Sequence, residues 1–262
     1  MYSKEHQNYL KKIRRNRCFV MISQISIIVL FLVAWQVCAD KGIINTFISS
    51  SPREVVKTIV GLYQSNDLWH HIWITVYETG LSFILASVFG ILIATILWWN
   101  AFLARVLDPY LTIINSLPKV ALGPIIIIWA GAGIQSIIIM ALLISLIITI
   151  INVYQGFIET DPNKIRLLKS FHATKSQLFF KLILPNSFVT IVSALKINVS
   201  MTLIGIIMGE FLVSKEGIGY LIMYGSQVFN LNLVMSGIII LCIVATIMYY
   251  LVSYIEKKLV KN

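Results

Sequence analysis

The sequence predicts an all-α integral membrane protein, and two features of its 262 residues carry that prediction. Hydrophobic residues make up 58% of the chain and charged residues only 12%, with a mean hydropathy of +0.86. A soluble domain carries about twice that charge and about 45–50% apolar residues. The apolar residues also fall in long continuous runs, not in the short alternating segments of a membrane barrel. Crossing about 30 Å of hydrocarbon takes about 20 helical residues at 1.5 Å each. Six segments meet that length: 18–39, 72–99, 110–131, 135–157, 186–212 and 235–255. The composition excludes an ordinary soluble enzyme, a disordered chain and a disulfide scaffold.

In order along the chain, residues 1–17 form a basic segment holding Lys4, Lys11, Lys12, Arg14, Arg15 and Arg17. A basic run directly before an apolar stretch is a cytoplasmic membrane flank, so the net charge of +10 is no sign of nucleic-acid binding. The first span, 18–39, is too long for the apolar core of a cleaved signal, about 7–15 residues. Cys18, Cys38 and Cys242 are scattered in apolar surroundings and give neither a disulfide framework nor a metal site. The connection 40–71 carries a helix start at Ser51-Pro52-Arg53-Glu54, with serine as N-cap, proline at the first helical position and glutamate three residues on. Val55, Val56, Ile59 and Val60 form an apolar stripe suited to a helix lying on the outer membrane surface. Trp69 and Trp73 fit an interfacial aromatic belt. His70 and His71 are adjacent, and adjacent residues on a helix point apart, so no metal ligation is expected.

Residues 72–257 hold the remaining spans. Ala86, Gly90 and Ala94 make a stripe of small residues for helix packing on the second span. Pro118 and Pro124 interrupt the third. Orientation follows from Lys and Arg in alternate connections. Fifteen lie on the N-terminal side of the membrane: the first six, Arg105, five between 158 and 185 (Lys164, Arg166, Lys169, Lys175 and Lys181), and Lys257, Lys258 and Lys261. Only Lys41, Arg53, Lys57 and Lys215 lie opposite, which places both termini in the cytoplasm.

The connection 158–185 is too polar for lipid yet has helical punctuation twice. Asp161-Pro162 starts one helix, with Ile165, Leu168 and Phe171 recurring at i, i+3 and i+6. Thr174-Lys175-Ser176-Gln177 is a capping box that starts another, with Leu178, Phe179, Leu182 and Ile183 on one side and Pro185 closing it. Such apolar faces serve either a protein partner or the chain's own helices and the lipid interface. The residues on this connection resemble the coupling loop of binding-protein-dependent ABC importer permeases. Arg166, Leu167 and Leu168 fill the family's Glu-Ala-Ala positions, His172 stands at its glycine, Ala173 and Thr174 follow as its Ala-Ser, and Leu182, Leu184 and Pro185 match its closing aliphatic and Leu-Pro.

The segments Leu107-Asp108-Pro109, Leu117 to Pro124, Trp129 to Gly133, Gly209-Glu210-Phe211 and Glu216 to Tyr220, together with Ser51 to Val55, resemble the nitrate/sulfonate/taurine branch of that family over roughly residues 45–255. The resemblance implies type I ABC permease architecture in a bacterial plasma membrane. It also implies a second permease copy, a dimer of cytoplasmic ATPases and an external solute-binding protein. The chain has no G-x-x-x-x-G-K-[ST] motif, so ATP is expected on the partner and no cofactor here.

Ionisable residues within spans mark functional positions, because burying charge is costly. Lys196 is a candidate for the solute pathway, as is Lys119, beside the proline that breaks the third span. Glu78 and Glu210 are expected near the outer ends, within reach of water, with Glu210 serving the outer gate. No catalytic constellation of His, Asp or Cys is present, which argues against a membrane-embedded enzyme. The alternative is a stand-alone secondary transporter, which calls for inverted repeats and midplane ionisable residues. The solute expected is a small anion of the sulfonate, taurine or nitrate kind, or an organic solute resembling a thiamine precursor.

Overall fold

A computed structural model describes the backbone of residues 4–260, and the side chains from Lys12 to Ile255 together with Lys258. Of the basic residues that set the orientation, Lys261 lies outside the described residues, as do the side chains of Lys4, Lys11 and Lys257. The helices are α1 (Lys4–Asp40), α2 (Thr46–Ser49), α3 (Pro52–Gln64), α4 (Asp67–Trp99), α5 (Ala101–Ser116), α6 (Gly123–Ala130) and α7 (Ile134–Ile158). They continue as α8 (Pro162–Ser170), α9 (Lys175–Leu178), α10 (Leu184–Asn186), α11 (Phe188–Val213), α12 (Ile218–Gln227) and α13 (Leu231–Val260). The described residues contain no strand.

Five helices are long and apolar enough to cross a membrane: α1, α4, α7, α11 and α13. The third expected span is not straight. α5 begins at Ala101, where Asn100 Oδ1 accepts from the N–H groups of Phe102 and Leu103, both at 3.1 Å. After Ser116 the path turns by 87° into the 3₁₀ turn Lys119–Leu122 and α6. The cause is local. Leu117 precedes Pro118 and is driven to an extended ψ of 141°, which the ring of a following proline imposes.

α7 is the central helix, flanked by α4 and α11. Two rows of small residues let the backbones close on it. Ala86, Gly90 and Ala94 of α4 are all buried, and a Cβ on Gly90 would come within 2.6 Å of Thr149 Cγ2. On α11, a Cβ on Gly205 would lie 2.5 Å from the Ala141 Cα, and one on Gly209 would lie 2.9 Å from the Ile137 Cα. Gly205 and Gly209 are four apart, the spacing that packs membrane helices backbone to backbone. Asn198 Nδ2 donates to Ser87 Oγ at 2.9 Å and joins α11 to α4 in a buried position.

Ser51 caps α3, accepting from the Glu54 N–H, and its apolar stripe divides between the protein and the outside. Val55 is buried, its carbonyl accepts from Ser236 Oγ of α13, and Ile59 and Leu62 pack on a cluster around Leu68, Ile218, Ile240 and Val244. Val56 and Val60 face outward. Helical spacing put four residues on one stripe, but α13 covers only part of it.

Candidate functional site

The segment between α7 and α11 folds as two short helices joined by a tight turn. Asp161 Oδ1 accepts from the Asn163 N–H at 2.8 Å and starts α8 with Pro162 in the first turn. The helix ends with two paired backbone bonds: the His172 N–H donates to Lys169 O at 2.9 Å, and the Ala173 N–H donates to Leu168 O at 3.1 Å. These are the bonds of a Schellman cap, which needs a left-handed residue. His172 supplies it with φ +55°. The bend that a glycine allows is therefore made here by histidine. Thr174 and Gln177 then exchange side-chain and backbone bonds, at 2.9 and 3.3 Å, in the capping box that starts α9.

Pro185 does not close this second helix. The path continues from α9 through a π turn, Phe179–Ile183, into α10. The widened turn bonds the Leu184 N–H to Phe179 O, one residue further back than an α-helix would. A proline has no N–H and crowds the carbonyl four residues earlier, and the wider turn accommodates both. Ser187 then ties the end down: its N–H donates to Ile183 O at 2.9 Å and its Oγ to Gly156 O at 2.7 Å.

The apolar faces of the two helices divide their work. Leu178, Phe179 and Ile183 are buried against Val153, Phe157 and Ala194, with Ile165, Leu168, Leu182 and Leu184 partly buried beside them. The Phe179 ring lies 4.9 Å from that of Trp98, tilted by 44°, and Lys175 donates to the Trp99 carbonyl with its ammonium 5.9 Å from both indole rings. Two apolar residues are left outside: Leu167 at 58% exposure and Phe171 at 72%. Phe171 leaves the inner face because α8 ends at Ser170, before helical spacing carries to it. Arg166, His172, Thr174 and Pro185 are exposed, and Ala173 is half-buried at the edge of a cavity beside Trp98.

At the other end of the bundle the structure brings together residues that the sequence keeps far apart. Glu210 is 1% exposed and accepts from Thr75 Oγ1 at 2.6 Å and from the Gly219 N–H. Thr75 Oγ1 accepts in turn from the Ile218 N–H at 2.8 Å, and His71 Nδ1 accepts from the Gly217 N–H at 3.0 Å. The loop 214–219 thus wraps the carboxylate. Gly217, with φ +99°, and Gly219 pass so close that a Cβ on either would strike the Glu210 side chain. Glu78 is also buried, at 3% exposure. Neither glutamate is open to water as expected, because α4, α7, α11 and the loop close over them. His70 pairs with Glu216 at 3.4 Å, and among the described residues no group of three or more His, Cys, Asp or Glu is placed to hold a metal.

Lys196 is half-buried on α11, between the two ends. Lys119 folds back, its Nζ donating to Asn115 O at 2.7 Å, and so satisfies a carbonyl left open where α5 stops. The sequence quoted Glu210 and Gly217 but gave no sign that Thr75, His71 and Glu78 would meet them.

A bundle of apolar helices with one broken span, and a two-helix elbow folded against its end, defines a membrane-embedded transport component. The chain belongs to the family of binding-protein-dependent transport system inner membrane components, whose family model matches residues 86–261. It is 29% identical to the formylaminopyrimidine transport permease protein of Halalkalibacterium halodurans, over 73% of this chain and 76% of that one. It is 20% identical to the taurine transport system permease protein of Escherichia coli (strain K12), over 90% of this chain and 87% of the relative. Among solved structures, an inward-facing form of the MetNI methionine ABC transporter matches with a TM-score of 0.62 and 20% identity, covering 73% of this chain and 93% of the other. The protein is thus a multi-pass membrane permease with the fold of an ABC importer's membrane subunit.

Proposed function

We propose that this chain is the pathway-forming subunit of an ATP-driven importer of a small solute. It works as one of two permease copies, with two cytoplasmic ATPases that bind the ATP and an external solute-binding protein that delivers the solute. Both termini, and residues 158–185, face the cytoplasm. The observation that carries this reading is the elbow. Its inner face is anchored through Phe179 on Trp98 and Phe157, while Leu167 and Phe171 stand outside beside the turn at His172. A rigid pair of short helices presenting an aromatic side chain is the form of a helix-in-groove contact. Arg166, Leu167, Phe171, His172 and Thr174 make that contact, and Leu168, Ala173, Leu182, Leu184 and Pro185 hold its shape. The relatives' names support a solute that is either a taurine-like sulfonate or an aminopyrimidine.

Phe171→Ala tests the reading. The residue is exposed, so the variant should insert and fold as before. Losing a buried aromatic contact costs about 2–3 kcal/mol, or about 30- to 150-fold in affinity. The variant should lose the co-purifying ATPase and ATP-dependent uptake together. Retention of both, or purification of an active transporter with no ATPase, overturns the reading; the second result would instead favour a stand-alone secondary transporter.

A further inference from the structure

A cavity of about 520 Å³ lies at the end of the bundle opposite the elbow. α4 forms one wall with Ile74 and Glu78, and the loop after α11 forms another with Ser214, Lys215 and Glu216. Two side chains one turn apart on α4 fix the loop in place. Thr75 Oγ1 accepts from the Ile218 N–H at 2.8 Å, and His71 Nδ1 accepts from the Gly217 N–H at 3.0 Å. Within itself the loop is a tight turn: Ser214 Oγ donates to Glu216 O at 2.6 Å and accepts from the Glu216 N–H at 3.1 Å. Residues 214–217 are therefore one small unit, and His71 ties that unit to α4 at its end.

The two ties differ in kind. A hydroxyl oxygen accepts at any ordinary pH, whereas an imidazole nitrogen accepts only while it is unprotonated. The bond to Gly217 requires the neutral ring with its proton on Nε2. Protonation would set an Nδ1–H against the Gly217 N–H, donor against donor, and the bond is lost. The ionisable groups around His71 are Asp67 and His70 on α4, Glu216 on the loop and Tyr220 on α12, whose ring centroid lies 6.0 Å from that of His71. Glu210 of α11 lies beyond Thr75, and on α3 Lys57 and Glu54 pair with each other at 2.6 Å. His70 works in the opposite sense, since its protonation strengthens the 3.4 Å contact with Glu216, but both side chains are exposed and such pairs contribute little. We infer that His71 is a pH-operated latch on this cavity: the neutral ring holds the loop 214–217 against α4, and the protonated ring releases it and opens the cavity wall. The latch is closed above the histidine range and released as the pH falls through it, from about 7 to about 5. It goes beyond the permease reading and does not depend on which solute is carried.

The test uses the full chain purified into lipid nanodiscs, with amide hydrogen exchange of residues 214–217 followed at pH 7.5 and 5.5 and corrected for the intrinsic rate at each pH. Protection in the wild-type chain should fall at least about fivefold on acidification, the loss expected for one hydrogen bond. The fall should track protonation of His71, read from the ring nitrogen shifts of the ¹⁵N-histidine protein. His71→Asn offers an amide oxygen near the place of Nδ1 and does not titrate, so its protection should no longer respond to pH. His71→Leu has no acceptor and should be poorly protected at both values. His70→Asn should keep the wild-type fall. No fall in the wild type, a fall while the His71 ring is still neutral, a fall that persists in His71→Leu, or its loss in His70→Asn overturns the inference. These outcomes are independent of ATPase co-purification, so a failure here is distinct from a failure of the permease reading.

Discussion

His172 holds a left-handed backbone, φ +55°, at the turn on which the elbow depends. A side chain with a Cβ makes that conformation cost about 1 kcal/mol relative to glycine. His172→Gly should therefore tighten the turn, visible as slower amide exchange at His172 and Ala173, whose N–H groups form the cap. Thr174→Ala should act in the other direction, because loss of an N-cap costs about 1 kcal/mol and frees α9 to fray. Gly217 is the opposite case to His172. Its φ is +99°, and a Cβ there meets the Glu210 carboxylate, so Gly217→Ala combines backbone strain with a clash. A loss of about 2 kcal/mol or more is expected, measured as a fall in thermal midpoint of the purified chain. A Gly217→Ala protein as stable as wild type would show that the loop does not clamp Glu210.

Between neighbouring helices, close approach decides stability. α11 meets α7 through Gly205 and Gly209 at backbone distance, so Gly209→Val should force the helices apart. Overpacking of that kind costs about 1–3 kcal/mol, and a lower yield of monodisperse protein in detergent is the expected readout. The sequence made some of these elements plain and hid others, for physical reasons. The caps at Ser51, Asp161 and Thr174 are local chemistry, settled within three residues, and they are found where the letters place them. The break at Pro118 was visible as a proline but not as an 87° turn, since the angle depends on what α6 packs against. The meeting of Thr75 with Glu210 spans 135 positions. No periodicity encodes it, and hydropathy treats a buried glutamate and an exposed one alike. The π turn at Phe179–Ile183 was missed because proline is a stop signal in isolation and a tolerated one where the turn widens.

Across the whole molecule, orientation is the property on which partners depend. With Cys18, Cys38 and Cys242 replaced, a cysteine at Lys164 should resist an impermeant thiol reagent in intact cells and react once the cells are opened, because the basic residues of 158–185 oppose translocation. Labelling from outside would reverse the topology and remove the ATPase from this face. α4 connects the two ends of the protein. At one end Trp98 and Trp99 grip Phe179 and Lys175, and twenty residues away Glu78 sits in the cavity wall. Those twenty residues are about 30 Å of unbroken helix. Such a helix is a lever with its short arm at the elbow: a tilt of about 10° at Trp98 sweeps Glu78 through about 5 Å. No residue along the shaft has to unwind for the far carboxylate to be presented or withdrawn.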